Sequence, residues 1–351
     1  MKTSYLLRRD FLKLGAAALG TLAFSPFVLN WGEFNDGEFV RVASKSVSVY
    51  SQPDDTSRIV SQRYRDDVVN VYKEVVAKTP SYNPVWYRVW GGYMHRAHLQ
   101  KVQVIHNKPL DMVPQKGQLA EVSVPYVQSM RYTTINGWQP LYRLYYETTH
   151  WIVGIDEGPD GQPWYRLLDE LLEITYHVPA THLRPLPDEE WAAISPEIPF
   201  EKKRIEVDLG RQWLSAHEND RVIFQTSISS GIPGLPSSNS LPTATPRGKF
   251  NIQSKYPSKH MGDGSLASDI EAYELVGVPW TSFFTETGGY AFHGTYWHDN
   301  FGVPMSRGCI NMRPAEAKWL FRWALPLSPP NEFETPGKVD RRGYGTPVVI
   351  Y

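Results

Sequence analysis

The sequence predicts a mainly β chain built of several modules, and three observations carry that expectation. Aromatic residues make up 13% of the 351 residues, and 28 prolines and 26 glycines punctuate them, which suits short strands joined by turns. Apolar and polar residues alternate with a period of two over many short runs. The length exceeds one ordinary domain and suits two or three, each able to bury its own core. Lys plus Arg total 36 against 37 for Asp plus Glu, so there is no electrostatic reason to expect nucleic acid as a partner.

The first thirty residues, MKTSYLLRRDFLKLGAAALGTLAFSPFVLN, have the plan of an export signal: Arg8 and Arg9, then Phe11, Leu12 and Lys13, then an apolar run from Leu14 to Leu29. The order Arg-Arg-x-Phe-Leu-Lys resembles a twin-arginine signal. The run is a little short for a membrane span and is broken by Gly15, Gly20, Ser25 and Pro26, which favours export over a plain anchor. No small-residue cleavage site stands out, so an uncleaved, membrane-tethered N-terminus stays open. The expected location is the cell envelope, outside the cytoplasm.

From Glu38 to Val104 the runs FVRVASKSVSVYSQPDD, DVVNVYKEVV and PVWYRVWGGYMHRAHLQKV alternate, with Pro53, Pro84 and Gly91-Gly92 between them, which reads as a small antiparallel barrel. A second copy follows over 118–186: Pro163-Trp164-Tyr165-Arg166-Leu167 echoes Val85-Trp86-Tyr87-Arg88-Val89, and Ala180-Thr181-His182-Leu183 echoes Arg96-Ala97-His98-Leu99. The Trp-Tyr-x-Val ending, a glycine turn and a short Tyr-x-His strand resemble bacterial SH3-like domains. That resemblance implies wall binding, to glycan or peptide, or a spacing role. Trp86 and Trp164 read as core residues in either case.

A Pro- and Glu-rich segment, RPLPDEEWAAISPEIPFEKK, reads as a linker closing at 203. Beyond it two strands are expected, Arg204–Leu209 and Val222–Ser227, joined by a turn at His217-Glu218-Asn219-Asp220. GKFNIQSKY reads as one further strand and GTPVVIY as the last. PAEAKWLFRWAL is the best helix pattern in the chain, with Pro314 at its start, Glu316 in its first turn and a stop at Pro326.

The chemistry gathers in HGTYWHDNFGVPMSRGCINM, residues 293–312, which holds the only cysteine in the chain. A lone cysteine in an exported protein forms no disulfide within its own chain, and a buried apolar role is the ordinary alternative. Here the flanks are polar. Gly308 lets the backbone turn sharply, so the amides of Gly308 and Cys309 can converge as an oxyanion hole, where each donor is worth about 2.7–4 kcal/mol in known enzymes. His293, in the run AFHG, and Arg307 are the groups able to promote a thiolate. His298 reads as a loop residue and Tyr296 and Trp297 as wall packing. His293, His298 and Cys309 lack the spacing of a metal site, so neither metal nor cofactor is expected.

The set HGTYW followed by SRGCINM resembles the active-site signature of the YkuD-type L,D-transpeptidases, over about residues 201–351. The resemblance implies a β-sandwich catalytic domain with one or two short helices, at 204–351. It also implies Cys309 as nucleophile, His293 as base, and the backbone of Gly308 and Cys309 as oxyanion donors. Gly294, Ser306, Arg307 and Asn311 would support the loop, Arg307 standing where the family often carries histidine. The implied partners are donor and acceptor stem peptides of peptidoglycan, with release of terminal D-alanine and a crosslink between third-position residues. Hydrolysis by the same site, an L,D-carboxypeptidase, and a wall-binding protein without catalysis are the alternatives. Papain-like hydrolases also carry SH3-like modules, but they place cysteine before histidine. Finally, the Gly- and Ser-rich stretch 256–280 reads either as a lid over the cysteine or as an ordinary loop, with Tyr256, His260 and Met261 as candidate substrate contacts.

Overall fold

Five sheets, with few helices, make up the computed structural model, which describes residues 38–81, 83–235, 241–262, 275–286, 289–328, 330 and 345–351. The expected export signal and residues 263–274 lie outside these, and the described parts of the stretch 256–280, read as a lid or a loop, fall in strands Ser254–Met261 and Leu275–Phe283. The described residues fall in one compact unit.

The first module comprises β1 (Glu38–Val42), β2 (Ser46–Tyr50), β3 (Ile59–Tyr64), β4 (Val68–Val71), β5 (Lys73–Val76), β6 (Val85–Val89), β7 (Gly92–His95) and β8 (Leu99–Val102). They form sheets in the orders β4-β1-β8 and β3-β2-β7-β6-β5. Alternation does the work: Val40, Val42, Val49, Tyr87, Val89, Met94 and Leu99 point inward as one core. Arg41 falls on the opposite face of β1 from Val40 and Val42, yet only 1% of it is exposed, because the rest of the molecule covers that face.

The second module comprises β9 (Gln118–Val122), β10 (Tyr126–Thr133), β11 (Gly137–Tyr145), β12 (Thr149–Glu157), β13 (Pro163–Asp169), β14 (Ile174–Pro179) and β15 (Leu183–Pro185), one sheet in the order β11-β10-β14-β13-β12-β9-β15. The two modules end alike. Trp86-Tyr87 and Trp164-Tyr165 are buried in β6 and β13, and a single 3-10 turn, Arg96–His98 or Ala180–His182, leads into a strand opened by buried Leu99 or Leu183.

The segment after β15 departs from the expected linker. A short helix, α1 (Asp188–Trp191), buries Trp191 to 2% exposure among Trp151 of the second module and Trp280 of the third. Its Pro and Glu content marks turns and a helix start here, and a single tryptophan supplies the anchor that the composition concealed.

The third module comprises β16 (Lys203–Asp208), β17 (Trp213–Glu218), β18 (Arg221–Ser227), β19 (Gly248–Asn251), β20 (Ser254–Met261), β21 (Leu275–Phe283), β22 (Ala291–Gly294), β23 (Ile310–Met312), α2 (Pro314–Trp323) and β24 (Pro347–Ile350). Its sheets run β18-β17-β16-β24-β19 and β20-β21-β22-β23. Two strands differ from expectation. β17 occupies residues read as loop and the start of a turn, the turn itself falling at Asn219 and Asp220 with φ of 46° and 66°. GKFNIQSKY splits between β19 and β20, which belong to different sheets. The helix matches its pattern, with Pro314 in its first turn, but it ends at Trp323, short of Pro326. Two buried lysines, Lys203 and Lys255, donate to the Trp323 carbonyl at 3.0 Å and the Ala324 carbonyl at 2.7 Å, so amine donors satisfy carbonyls left open at the end of the helix.

Candidate active site

Two neighbouring parallel strands position the chemistry. β22 pairs with β23 in the register Phe292↔Ile310, His293↔Asn311, Gly294↔Met312. Side chains alternate along each strand, so Asn311 lies beside His293, and Cys309, two residues earlier, points to the same face. Cys309, His293 and Asn311 line one cavity of about 250 Å³, together with Leu275, Trp297, Met305, Ser306 and Arg307.

His293 is buried and its Nδ1 lies 3.0 Å from the carbonyl oxygen of Gly294. A carbonyl only accepts, so Nδ1 carries the proton and Nε2 keeps a free lone pair, the form of imidazole that acts as a base. Gly294 has to be glycine, because a Cβ there would lie 2.7 Å from the Pro279 ring and 3.0 Å from the Pro314 backbone. Trp297 packs beside the imidazole with ring centres 5.6 Å apart.

Cys309 is partly exposed at the cavity, but desolvation pushes its thiol up to about 11, against the opposing pull of a backbone hydrogen bond from Ala291. Burial also pushes His293 down to about 4, although its bond to Gly294 works the other way. Both shifts disfavour charge, so at neutral pH the cavity holds an uncharged thiol and a neutral imidazole.

Hydroxyl groups hold the turn before the cysteine. Gly308 has φ of 119°, and a Cβ on it would lie 2.4 Å from the Tyr290 ring, so only glycine fits. Its N–H donates to Ser306 Oγ at 3.1 Å, and Ser306 Oγ donates in turn to the Cys309 carbonyl at 2.5 Å. The Gly308 amide named as an oxyanion donor therefore starts out engaged by Ser306. Thr245 Oγ1 donates to the Gly308 carbonyl at 2.8 Å while accepting from the Gly231 N–H at 2.9 Å. Ser229 closes a backbone bridge with Asn311, its N–H donating at 3.0 Å and its carbonyl accepting at 2.9 Å. Sequence reading passed over Ser229, Gly231 and Thr245 as site residues. They lie in SISSG and TPRGKF, and nothing local to those runs points to a residue some 60 to 80 positions away.

His298 is fully buried, and the backbone N–H of Asn300 donates to its Nδ1 at 3.0 Å. Burial and neighbouring positive groups hold it down near 3, so its ring is neutral with the proton on Nε2. The Asn311 amide meets that nitrogen at 2.9 Å, and chemistry requires the amide to present its oxygen there. His298 thus orients Asn311 and is more than a loop residue. Arg307 is exposed at the cavity wall.

The candidates from 256–261 lie elsewhere. His260 is buried against Asp169 of the second module, with Nδ1 2.9 Å from Oδ2. Although burial alone would raise it, the hydrogen bond and charge of His260 hold Asp169 below its ordinary range. Tyr256 packs on Phe283, and Met261 pairs with Leu275 in the sheet. None of the three lines the cavity around Cys309. Their types fit a substrate contact, but β20 turns them toward the second module or along the sheet.

The loop between His293 and Cys309 is held from outside its own domain. Arg41 donates to the Tyr296 carbonyl at 2.7 Å, to Asp66 at 2.9 Å and to Gln100 at 2.9 Å, and stacks on Tyr145, which itself stacks on Tyr296. Arg96 donates to the Phe301 carbonyl at 3.2 Å and to Asn300 Oδ1 at 3.3 Å. Asp299 N–H donates to the Leu99 carbonyl at 2.9 Å. All three modules therefore meet on this loop.

Among the described residues, no three His, Cys, Asp or Glu side chains gather to hold a metal, and no helix is long and apolar enough to cross a membrane. The arrangement offers a thiol, a neutral imidazole and a glycine turn with amides, and no charged side chain from β22 or β23.

Comparison with known proteins identifies residues 202–350 with the YkuD family, the L,D-transpeptidase catalytic domain. An L,D-transpeptidase fragment (residues 123–326) from Xylanimonas cellulosilytica is 26% identical over 42% of this chain and 60% of its own length, with a TM-score of 0.30. The catalytic domain of the E. faecium L,D-transpeptidase is 27% identical over 43% of this chain and 98% of its own, with a TM-score of 0.28. An L,D-transpeptidase from Mycobacterium smegmatis is 16% identical over 73% of this chain and 92% of its own, with a TM-score of 0.31. No curated protein matches the chain. The assignment of residues 202–350 rests on the family match.

Proposed function

We propose that the YkuD domain at 202–350 is a peptidoglycan L,D-transpeptidase that works through a thioester on Cys309, in a protein exported to the cell envelope. The observation that carries this reading is the shared face of β22 and β23, where the free Nε2 of His293 and the Cys309 thiol line one cavity. Export is supported by the twin-arginine-like opening of the sequence.

Because both groups rest uncharged, the proton moves only as bond formation begins. His293 Nε2 accepts the thiol proton while sulfur attacks the carbonyl that joins the third-position diamino acid to terminal D-alanine. The growing negative charge on oxygen is met by the Cys309 amide, and by the Gly308 amide once it turns from Ser306. The imidazolium then protonates the leaving nitrogen, D-alanine departs, and an acyl thioester remains. A side-chain amine of a second stem resolves it: the C–N bond forms, the C–S bond breaks, and the amine proton passes through Nε2 back to sulfur. Water in place of the amine gives carboxypeptidase chemistry from the same intermediate.

Incubation of the full chain with purified disaccharide-tetrapeptides, followed by mass analysis of the products, tests the reading. Dimers joined between third-position residues, with free D-alanine, are expected. Tripeptides alone would reduce the reading to carboxypeptidase, and unaltered substrate would overturn it.

A further inference from the structure

A second groove, of about 620 Å³, lies between the first module and the catalytic loop. Ser46, Tyr50 and Asp55 of the module line one side, and Val303, Pro304 and Met305 the other. Met305 also lines the 250 Å³ cavity that holds Cys309, so the two spaces adjoin at that side chain.

We propose that this groove is the acceptor subsite, seating the amine-bearing stem peptide that resolves the thioester. The inference rests on the transpeptidase reading and deepens it. Once a donor acyl chain occupies the small cavity, an acceptor needs its own approach to the thioester carbonyl, and the groove ends at Met305 beside that position. Its lining is mostly apolar, with Val47, Pro80, Trp86, Val303 and Met305, which suits the aliphatic stem of a side-chain amine, and polar groups stand at its mouth. Ser46 and Ser48 bring hydroxyls to it, the buried Asn83 and Asn300 amides being engaged with each other and with Arg96, and Tyr50, edge-on to Trp86 at 5.5 Å, forms an aromatic wall.

Charge separates an amine from an anion as the occupant. Asp55, at an exposed position, is the one carboxylate among the lining residues, and the neighbouring cation, Arg96, stands behind Asn83 and Asn300, tied to their Oδ1 atoms and to the Phe301 carbonyl. His95 and His98 also line the groove, and desolvation lowers both below the ordinary histidine range, so they add no positive charge at neutral pH. His95 is further committed, since its Nε2 donates to the Asn83 carbonyl at 2.8 Å. An incoming ammonium is thus favoured at the mouth. It leaves one proton to water before the free amine attacks, and the second proton returns to sulfur through His293. The first module becomes part of the enzyme's acceptor specificity in addition to any role on the wall.

The test uses the full chain with a tetrapeptide donor and tripeptide acceptors that carry a free side-chain amine, in lysine and diaminopimelate versions. The readout is the ratio of crosslinked dimer to hydrolysed donor, which reports the fate of the thioester and not the rate of its formation. Ser46→Trp, at an exposed position, is expected to fill the groove and lower that ratio at least fivefold, and Asp55→Asn to raise the acceptor KM about threefold. A ratio equal to the wild type's in Ser46→Trp overturns the acceptor subsite. Wild-type protein that releases D-alanine yet never forms dimers overturns it too, while leaving the acyl-enzyme chemistry in place. Absence of any thioester in the wild type overturns the transpeptidase reading beneath it.

Discussion

The first and second modules end in the same strand, turn and strand, yet only the second adds a shared apolar core to the polar bonds by which both meet the third module. The second shares an apolar core with it: Leu119 and Trp151 of that module pack with Trp191, Ile205, Trp280 and Phe321 in one continuous cluster. The first reaches it through Arg41, Arg96 and backbone groups that end on residues 296–301. Apolar burial is strong and undirected, and suits a permanent scaffold. Buried charge-assisted hydrogen bonds add geometric specificity, and suit a loop whose two ends carry His293 and Cys309. The comparison teaches that one repeated fold serves here both as a foundation and as a positioning clamp.

Removing the apolar anchor should have the larger effect on folding. Trp191→Ala opens a cavity at the junction of two modules and is expected to cost about 3–5 kcal/mol, read as a shift of the denaturation midpoint. A change below about 1 kcal/mol would show that the shared core is not what joins them. Arg96→Ala should affect stability less, by about 1–2 kcal/mol, since hydrogen bonds from a half-buried guanidinium are lost. Its larger effect should fall on turnover, about tenfold in kcat measured well below the melting transition, because a small misplacement of the loop costs rate. Arg96→Lys should restore part of it. Wild-type turnover in Arg96→Ala would reduce the clamp to packing.

The legible parts were those whose chemistry is local. Cys309, His293, Gly308 and the helix starting at Pro314 declare themselves within a few residues, through a sharp turn, a nucleophile or an N-terminal proline. The mainly β class followed from period-two alternation and holds; the strand β17 was missed, where consecutive Ala216 and His217 are both buried and break the alternation. Trp191 was hidden inside a composition that reads as linker. Arg41 looked like one more polar residue of an alternating strand, although its carbonyl partner lies 255 positions away. His260 and Tyr256 had suitable chemistry and the wrong direction, which only strand pairing reveals. No periodicity encodes such long-range partners, so Thr245 and His298 also emerged only from the fold.

Everything rests on Cys309 acting as nucleophile with a neutral imidazole as base. The most direct measurement is the rate of covalent carbapenem adduct formation, followed by intact mass and mapped by peptide, for wild type and Cys309→Ala from pH 5 to 9. One adduct is expected on the wild type, at Cys309, and none on the variant. Since the imidazole gains a proton only below about 4 and the thiol loses its own only near 11, the rate should stay level across that range. An adduct that persists in Cys309→Ala would contradict the assignment of the nucleophile, and a steep acid limb near pH 6 or 7 would contradict the uncharged resting pair.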